Sequence, residues 1–428
     1  MIIDHSRPCH KERKKQEQKT VSIAVIASSI PSRWANSINT MKHADAFSKL
    51  GHKVKIYSII NDMQEDLRNE LHDAIYDWYG ISPIPINYHK TFPFFFHTNF
   101  LPYKGIRWLD RKIFRNAFQA KLNPHKRIAE ECFKAGVDFA YCRGFFPMIA
   151  CMQKGIPCVI ETHGAIISEP MKKAFAYSNH DAFRGVITIS ESLKSKYIAE
   201  GVLAEKILVK HDAVNLSLFD GVSNDKKTLR SELGLPLGFK LIMYVGSLKP
   251  GKAIHKIVEA ANADSNSFHR YVLVGGTEND FKQYRNLCTE RGMQKLIFVS
   301  FQNNQLVPRY MKAADILLLP YDIEETQSVM DMKTTSPIKL FEYMASQRPI
   351  VAHLLPNFAS VLTESDAWTV PLGHKILPLI EKVLSLSDQE RKKKCDQAYQ
   401  KVQNYTYLKR ARCILDLAQI DKRPDEQI

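Results

Sequence analysis

A chain of 428 residues is too long for one ordinary core, so two domains of roughly 200 residues each are expected, with a cleft between them. Hydrophobic residues at 45% and charged residues at 25% exclude a disordered, collagenous or coiled-coil chain, and no apolar run approaches the ~20 residues that cross a bilayer. The formal charge of +15 admits nucleic acid, an anionic membrane or a phosphate-bearing ligand as partner, and alone it does not choose among them.

Residues 1–20 are polar and basic and read as a flexible arm without the apolar stretch of a signal peptide, so a cytoplasmic location is expected. A first Rossmann-like domain is expected over 21–220. VSIAVIAS reads as a buried strand, MKHADAFSKLGH as a helix closed by Gly51, and KVKIYSII as a second strand. DFAYCRG, PCVIETHG, GVITIS and KILVKHDAVN continue the series. Strands alternating with helices predict parallel sheets covered on both faces.

The segment 91–122 departs from this pattern. TFPFFFHTNFLPY holds five Phe and a Tyr, and 101–134 carries nine Lys or Arg against three acids. With no nucleic-acid signature beside it, this composition fits docking on an anionic membrane surface, and it fits equally a buried aromatic loop under a solvated helix; nucleic acid is not expected as a partner.

The stretch around 220 is polar and loop-like and reads as the linker. Over 221–405 the strands KLIMYVGS, HRYVLVGG, KLIFVSF, DILLLPY and RPIVAHL define a second Rossmann-like domain, and 406–428 reads as a helix crossing back to the first. The eight cysteines form no C-x-x-C pair and no Cys/His grouping at metal spacing, so reduced thiols and no metal are expected.

Parallel sheets bind ligands beyond the carboxyl ends of their strands. In TTSPIKLFEYMASQRPIVA, Ser336 is placed to cap a helix with Pro337 at its first turn. The amides of Ile338 and Lys339 are then free for a phosphate, and Glu342, about 6 Å further along the axis, is placed for two neighbouring hydroxyls of a ribose. Read alone, the segment also fits a plain amphipathic helix with one exposed Glu. Lys252 in YVGSLKPGK could neutralise a diphosphate or stand as a solvated loop lysine, and Ala253 rules out a Walker A motif. Arg143 and His163 each follow a first-domain strand and are expected to point into the cleft, Arg143 toward an acceptor. No D-x-D, G-x-S-x-G or H-E-x-x-H occurs, which weakens metal-bridged transfer, hydrolase and zincin readings.

Taken in order from about residue 21 to about 417, these segments resemble the GT-B-fold retaining glycosyltransferases, the glycosyl transferases group one. The resemblance implies that the second domain binds a nucleotide-diphosphate sugar and the first a saccharide or lipid-linked acceptor, in cell-surface polysaccharide or lipopolysaccharide biosynthesis, without cofactor. It implies Lys252 on the diphosphate, Glu342 on the ribose and Ser336 to Leu340 as the backbone turn around the phosphates. It further implies His163 on the donor sugar and Phe301 beside the base.

Four positions depart from the pattern. Thr334 stands where the first Glu of E-x7-E is expected, with Asp331 close by. Ser247 replaces an arginine, Ser28 and Ser29 replace a glycine pair on the acceptor side, and Gln347 replaces the Gly that closes the TSPIKLFEYMA helix. A nucleotide-sugar-binding subunit with little turnover and a nucleotide-sugar epimerase stand as the alternative functions.

Overall fold

The computed structural model describes residues 19–27, 29–90, 122–248, 251–290, 294–322, 336–356 and 359–420. Most of the basic arm, the aromatic and basic segment through residue 121, Ser28, Asp331 and Thr334 lie outside these residues.

The first domain is a seven-stranded sheet of order β3-β2-β1-β4-β5-β6-β7, formed by β1 (Ser22–Ala27), β2 (Lys53–Ile60), β3 (Ile86–Lys90), β4 (Phe139–Cys142), β5 (Cys158–Glu161), β6 (Phe183–Thr188) and β7 (Ile207–Val209). The second is a six-stranded sheet of order β10-β9-β8-β11-β12-β13, formed by β8 (Lys240–Val245), β9 (His269–Gly276), β10 (Leu296–Ser300), β11 (Ile316–Leu319), β12 (Ile350–His353) and β13 (Trp368–Val370). Pairing within both sheets is parallel. The central strands are apolar throughout because helices cover both faces, as in FAYC of β4 and ILLL of β11, every residue of which is buried. β3 and β13 escape the sequence reading. Both are half-polar edge strands with little apolar signal.

Strand order reverses between β1 and β4 in one sheet and between β8 and β11 in the other, and such switch points open a crevice at the carboxyl ends of the strands. Four helices carry or adjoin the residues of the candidate site: α1 (Ala35–Lys49), α2 (Ile254–Ala263), α3 (Ile338–Ala345) and α4 (Tyr407–Ala418). Helix α1 begins six residues before the expected start, since its polar first turns are buried against the β1 loop; Ser37, Asn39 and Thr40 are all buried. Gly51 follows it in a left-handed conformation, φ +91°.

The chain leaves the first domain earlier than residue 220. Ala213 packs in the first core and Val214 in the second, because Val214 is already held among Leu241, Met243 and Phe341. It returns between Tyr405 and Tyr407. The two crossings are stitched together, with Val214 N–H donating to the Tyr405 carbonyl at 2.9 Å and Tyr407 N–H to the Val214 carbonyl at 3.3 Å. Helix α4 then buries Tyr407, Ala411, Ile414, Leu415 and Ala418 among Val25, Phe47 and Tyr141 of the first core. Each fully buried Ile or Leu of such a face contributes about 1.5–3 kcal/mol. Among the described residues, no helix is long and apolar enough to cross a membrane.

Candidate active site

On the second-domain side, β8 is followed by Gly246, whose φ of +152° no side chain adopts easily and whose Cβ would stand 2.8 Å from Lys339 Nζ. Gly275 comes equally close from β9: a Cβ there would meet the Gly246 carbonyl at 2.6 Å. This tight backbone lets the Lys339 side chain of α3 reach under the β8 turn, where it donates to the Tyr244 hydroxyl and lies 3.9 Å from the centre of that ring. Burial, and then the charge of neighbouring Lys252, hold Lys339 well below the usual lysine value, while Glu342 pulls the other way. Lys339 therefore stands beside Gly246, with Lys252 near enough to act on it. Lys339 thus brings an amine from α3 beside the position of Ser247, which is exposed and whose carbonyl accepts from Tyr244 at 2.9 Å. The Tyr343 hydroxyl fixes α3 against β8 by accepting from the Val245 N–H at 2.9 Å.

The start of α3 differs from the sequence reading. Pro337 occupies the cap position, with no side-chain cap, and the helix begins at Ile338. Ser336 is not the cap: it is buried, and its hydroxyl accepts instead from the Asp212 N–H at 2.9 Å, tying α3 to the chain that leaves β7. Leu340 is removed from the phosphate seat, since its side chain is in the core and its amide donates to the Pro337 carbonyl at 2.9 Å. Of the expected seat, the amides of Ile338 and Lys339 remain without a partner within the helix. One turn on, Glu342 Oε1 lies 3.7 Å from Nζ of Lys42 on α1. Gln347, after the helix, has the left-handed φ of 55° that the missing glycine would have favoured.

Phe301 follows β10 and reaches the first domain, its ring centre 5.7 Å from that of Trp78 and 4.9 Å from the Arg33 guanidinium. Beside it, Asn304 Nδ2 donates to the Trp78 carbonyl at 3.0 Å.

On the first-domain side, Ser29 lies in the turn from β1 to α1, its carbonyl accepting from the Ser37 hydroxyl at 2.7 Å. Arg143 does not reach into the cleft as expected. Its side chain is 6% exposed, with Nη1 2.8 Å from Glu161 Oε1 and Nε donating to Asn36 at 2.6 Å, because the buried carboxylate of Glu161 claims it. Glu161, the last residue of β5, is the hub of this side. Its oxygens also receive the Tyr141 hydroxyl at 2.5 Å, Arg410 Nη1 at 2.5 Å and Asn39 Nδ2 at 3.0 Å. His163 Nε2 sits 3.0 Å from Oε1.

Neighbouring groups follow from this hub. Burial lowers His43 to about 3, so it is neutral; Nδ1 donates to the Asn39 carbonyl at 2.8 Å and Nε2 accepts from Arg410 at 2.7 Å. Asp212 is pushed up by burial, with Glu161 adding to the effect and His163 and Arg410 opposing it. Glu161, His163 and Asp212 offer ligand atoms within 4.8 Å of one another, the spacing of a cation site. That spacing does not make a good one here, since two guanidiniums already stand against Glu161. Glu161, Asp212, Lys42 and Arg410 were not singled out from the sequence. The one available signal was a carboxylate closing the apolar run CVIE.

Two parallel-sheet Rossmann-like domains with their switch points facing a common cleft have the GT-B architecture. The model of the family described as glycosyl transferases group 1 matches residues 225–403. Among solved structures it resembles a glycosyltransferase from Rickettsia africae ESF-5 (TM-score 0.67, 16% identity, 94% of this chain and 98% of that one). It also resembles Anabaena HepE in complex with UDP-glucose (TM-score 0.66, 15% identity, 94% and 100%). Among curated relatives, WcaI of Escherichia coli K12, provisionally named a colanic acid biosynthesis glycosyl transferase, is 26% identical over 164 residues, 38% of this chain and 40% of that protein. The chain thus aligns with less than half the length of that relative.

Proposed function

We propose that this chain is a retaining, metal-independent glycosyltransferase that moves a sugar from a nucleotide-diphosphate sugar to a saccharide or lipid-linked acceptor in surface polysaccharide biosynthesis. The observation that carries the reading is Lys339 of α3 standing beside Gly246, with Lys252 near enough to act on it electrostatically and Glu342 one turn beyond. A diphosphate at that point would meet two ammoniums and two helix amides, and its ribose would fall against a carboxylate. His163 is joined to the same place through Asp212, whose carboxylate lies near it and whose amide binds Ser336.

In the reaction, the acceptor oxygen bonds to the anomeric carbon as the bond from that carbon to the diphosphate breaks on the same face. The acceptor's proton passes to the departing phosphate oxygen. Lys252, Lys339 and the α3 amides stabilise the charge that develops there, so no protein base is required. The two guanidiniums on Glu161 support a scheme without a metal at that cluster. HepE was solved with UDP-glucose, which makes a UDP-sugar the first donor to try. A cytoplasmic location, with docking on an anionic membrane through 91–122, completes the proposal.

The test is a panel of UDP-, GDP- and ADP-sugars read by thermal shift and by nucleotide release. One donor should raise the midpoint, and Lys252→Ala and Glu342→Ala should abolish that shift. No response to any donor overturns the reading.

A further inference from the structure

Glu161 is fully buried, and burial alone would keep a proton on its carboxyl. The guanidiniums of Arg410 and Arg143 instead hold it well below the usual carboxylate range. An ionised carboxylate only accepts hydrogen bonds, so the His163 Nε2 that faces it at 3.0 Å carries a proton. A neutral carboxyl in the same place could donate to a bare Nε2, and the imidazole proton would then move to Nδ1. The charge on Glu161 therefore selects the tautomer of His163.

Of the two guanidiniums, Arg143 follows β4, the strand beside β5, whereas Arg410 arrives on α4 after the chain has crossed between the domains twice. It is 4% exposed and further fixed by the carbonyls of His211 at 3.1 Å and Lys210 at 3.3 Å.

We propose that Arg410 is a positioning residue for His163: its ion pair with Glu161 fixes the proton of His163 on Nε2 and leaves Nδ1 as the acceptor for a hydroxyl of the transferred sugar. The inference rests on the reading of His163 as the donor-sugar contact. It makes the C-terminal helix part of the site machinery and not only a clasp on the first domain.

The full chain, labelled with ¹⁵N in its histidine rings, is examined by long-range ¹H–¹⁵N correlation at pH 8 without donor, with the His163 signals identified by their loss in His163→Gln. The native chain should show Nε2 protonated and Nδ1 bare, and Arg410→Lys, which keeps the charge, should show the same. Arg410→Met should move the tautomer ratio about tenfold or more toward Nδ1–H, the equivalent of one charge-assisted hydrogen bond. Should Arg410→Met fail to fold, Arg410→Met/Glu161→Gln removes both charges together and should give mixed tautomers, because an amide can either donate or accept. A single Nε2–H form persisting in either folded variant overturns the proposal. No donor is present, so this result stands apart from the donor panel, whose failure would overturn only the functional reading.

Discussion

Lys42 and Glu342 meet across the domain boundary, ammonium to carboxylate at 3.7 Å, with only 3% and 14% of their side chains exposed. Burial pushes Lys42 below the usual lysine value, and Glu342 is the main group pulling it back up. Removing one partner leaves the other without its counter-charge. Glu342→Ala should therefore lower stability by about 1–3 kcal/mol in urea unfolding, and Lys42→Met/Glu342→Ala should recover most of that loss. A double variant as unstable as the single one would mean that the two do not interact.

The same carboxylate is placed for ribose hydroxyls. Glu342→Gln should weaken binding of the preferred nucleoside diphosphate about tenfold by calorimetry, in keeping with one hydrogen bond to a charged group. The 2′-deoxy analogue should lose much less, because it lacks one of the hydroxyls the carboxylate would hold.

Lys339 is held well below the usual lysine value in the free protein, first by burial and then by Lys252. A diphosphate bound beside it favours the charged form, so binding should take up a proton once the pH exceeds that depressed value, and affinity should fall as pH rises further. Titrations in buffers of different ionisation heat should show this uptake. It should disappear in Lys339→Met.

Glu161 ionises in the fold well below the ~4.3 of an unfolded glutamate. Its contribution to stability is complete above about pH 4.3 and is withdrawn as pH falls through the depressed value. Arg410→Met should cost about 3–5 kcal/mol at neutral pH, the usual range when one partner of a buried pair is lost. It should also flatten the decline in urea midpoint below about pH 4.3, where the native chain loses the Glu161 contribution.

Gln347 adopts φ 55° after α3. Glycine takes that conformation without a Cβ penalty, so Gln347→Gly should raise stability by about 1 kcal/mol without altering donor binding.

The sequence announces the architecture because strands covered on both faces are written as short apolar runs, and KLIMYV, ILLL and FAYC could hardly be anything else. The elements that carry Lys252, Glu342 and the amides of α3 were legible for a similar reason, since each sits in a local strand, turn and helix pattern. Arg143 and Ser336 were misread because both take partners distant in sequence: Arg143 the carboxylate of Glu161, and Ser336 the amide of Asp212. The ion pair of Glu161 with Arg410, 249 residues apart, has no local signature at all. Only the fold brings these groups into contact, so long-range polar partners are where a pattern-based reading runs out.

Both peptide connections between the domains pass side by side, at Val214 and Thr406, and are bonded to each other there. Any swing of one domain against the other must then turn about that point, as a door turns on its pin, and atoms close to a pin travel the shortest arcs. Asp212 lies two residues before the pivot on one strand of chain, and Arg410 four residues beyond it on the other. The cluster that holds His163 would thus keep its shape while the cleft opens, and Lys42 and Glu342, on the facing helices, are free to part.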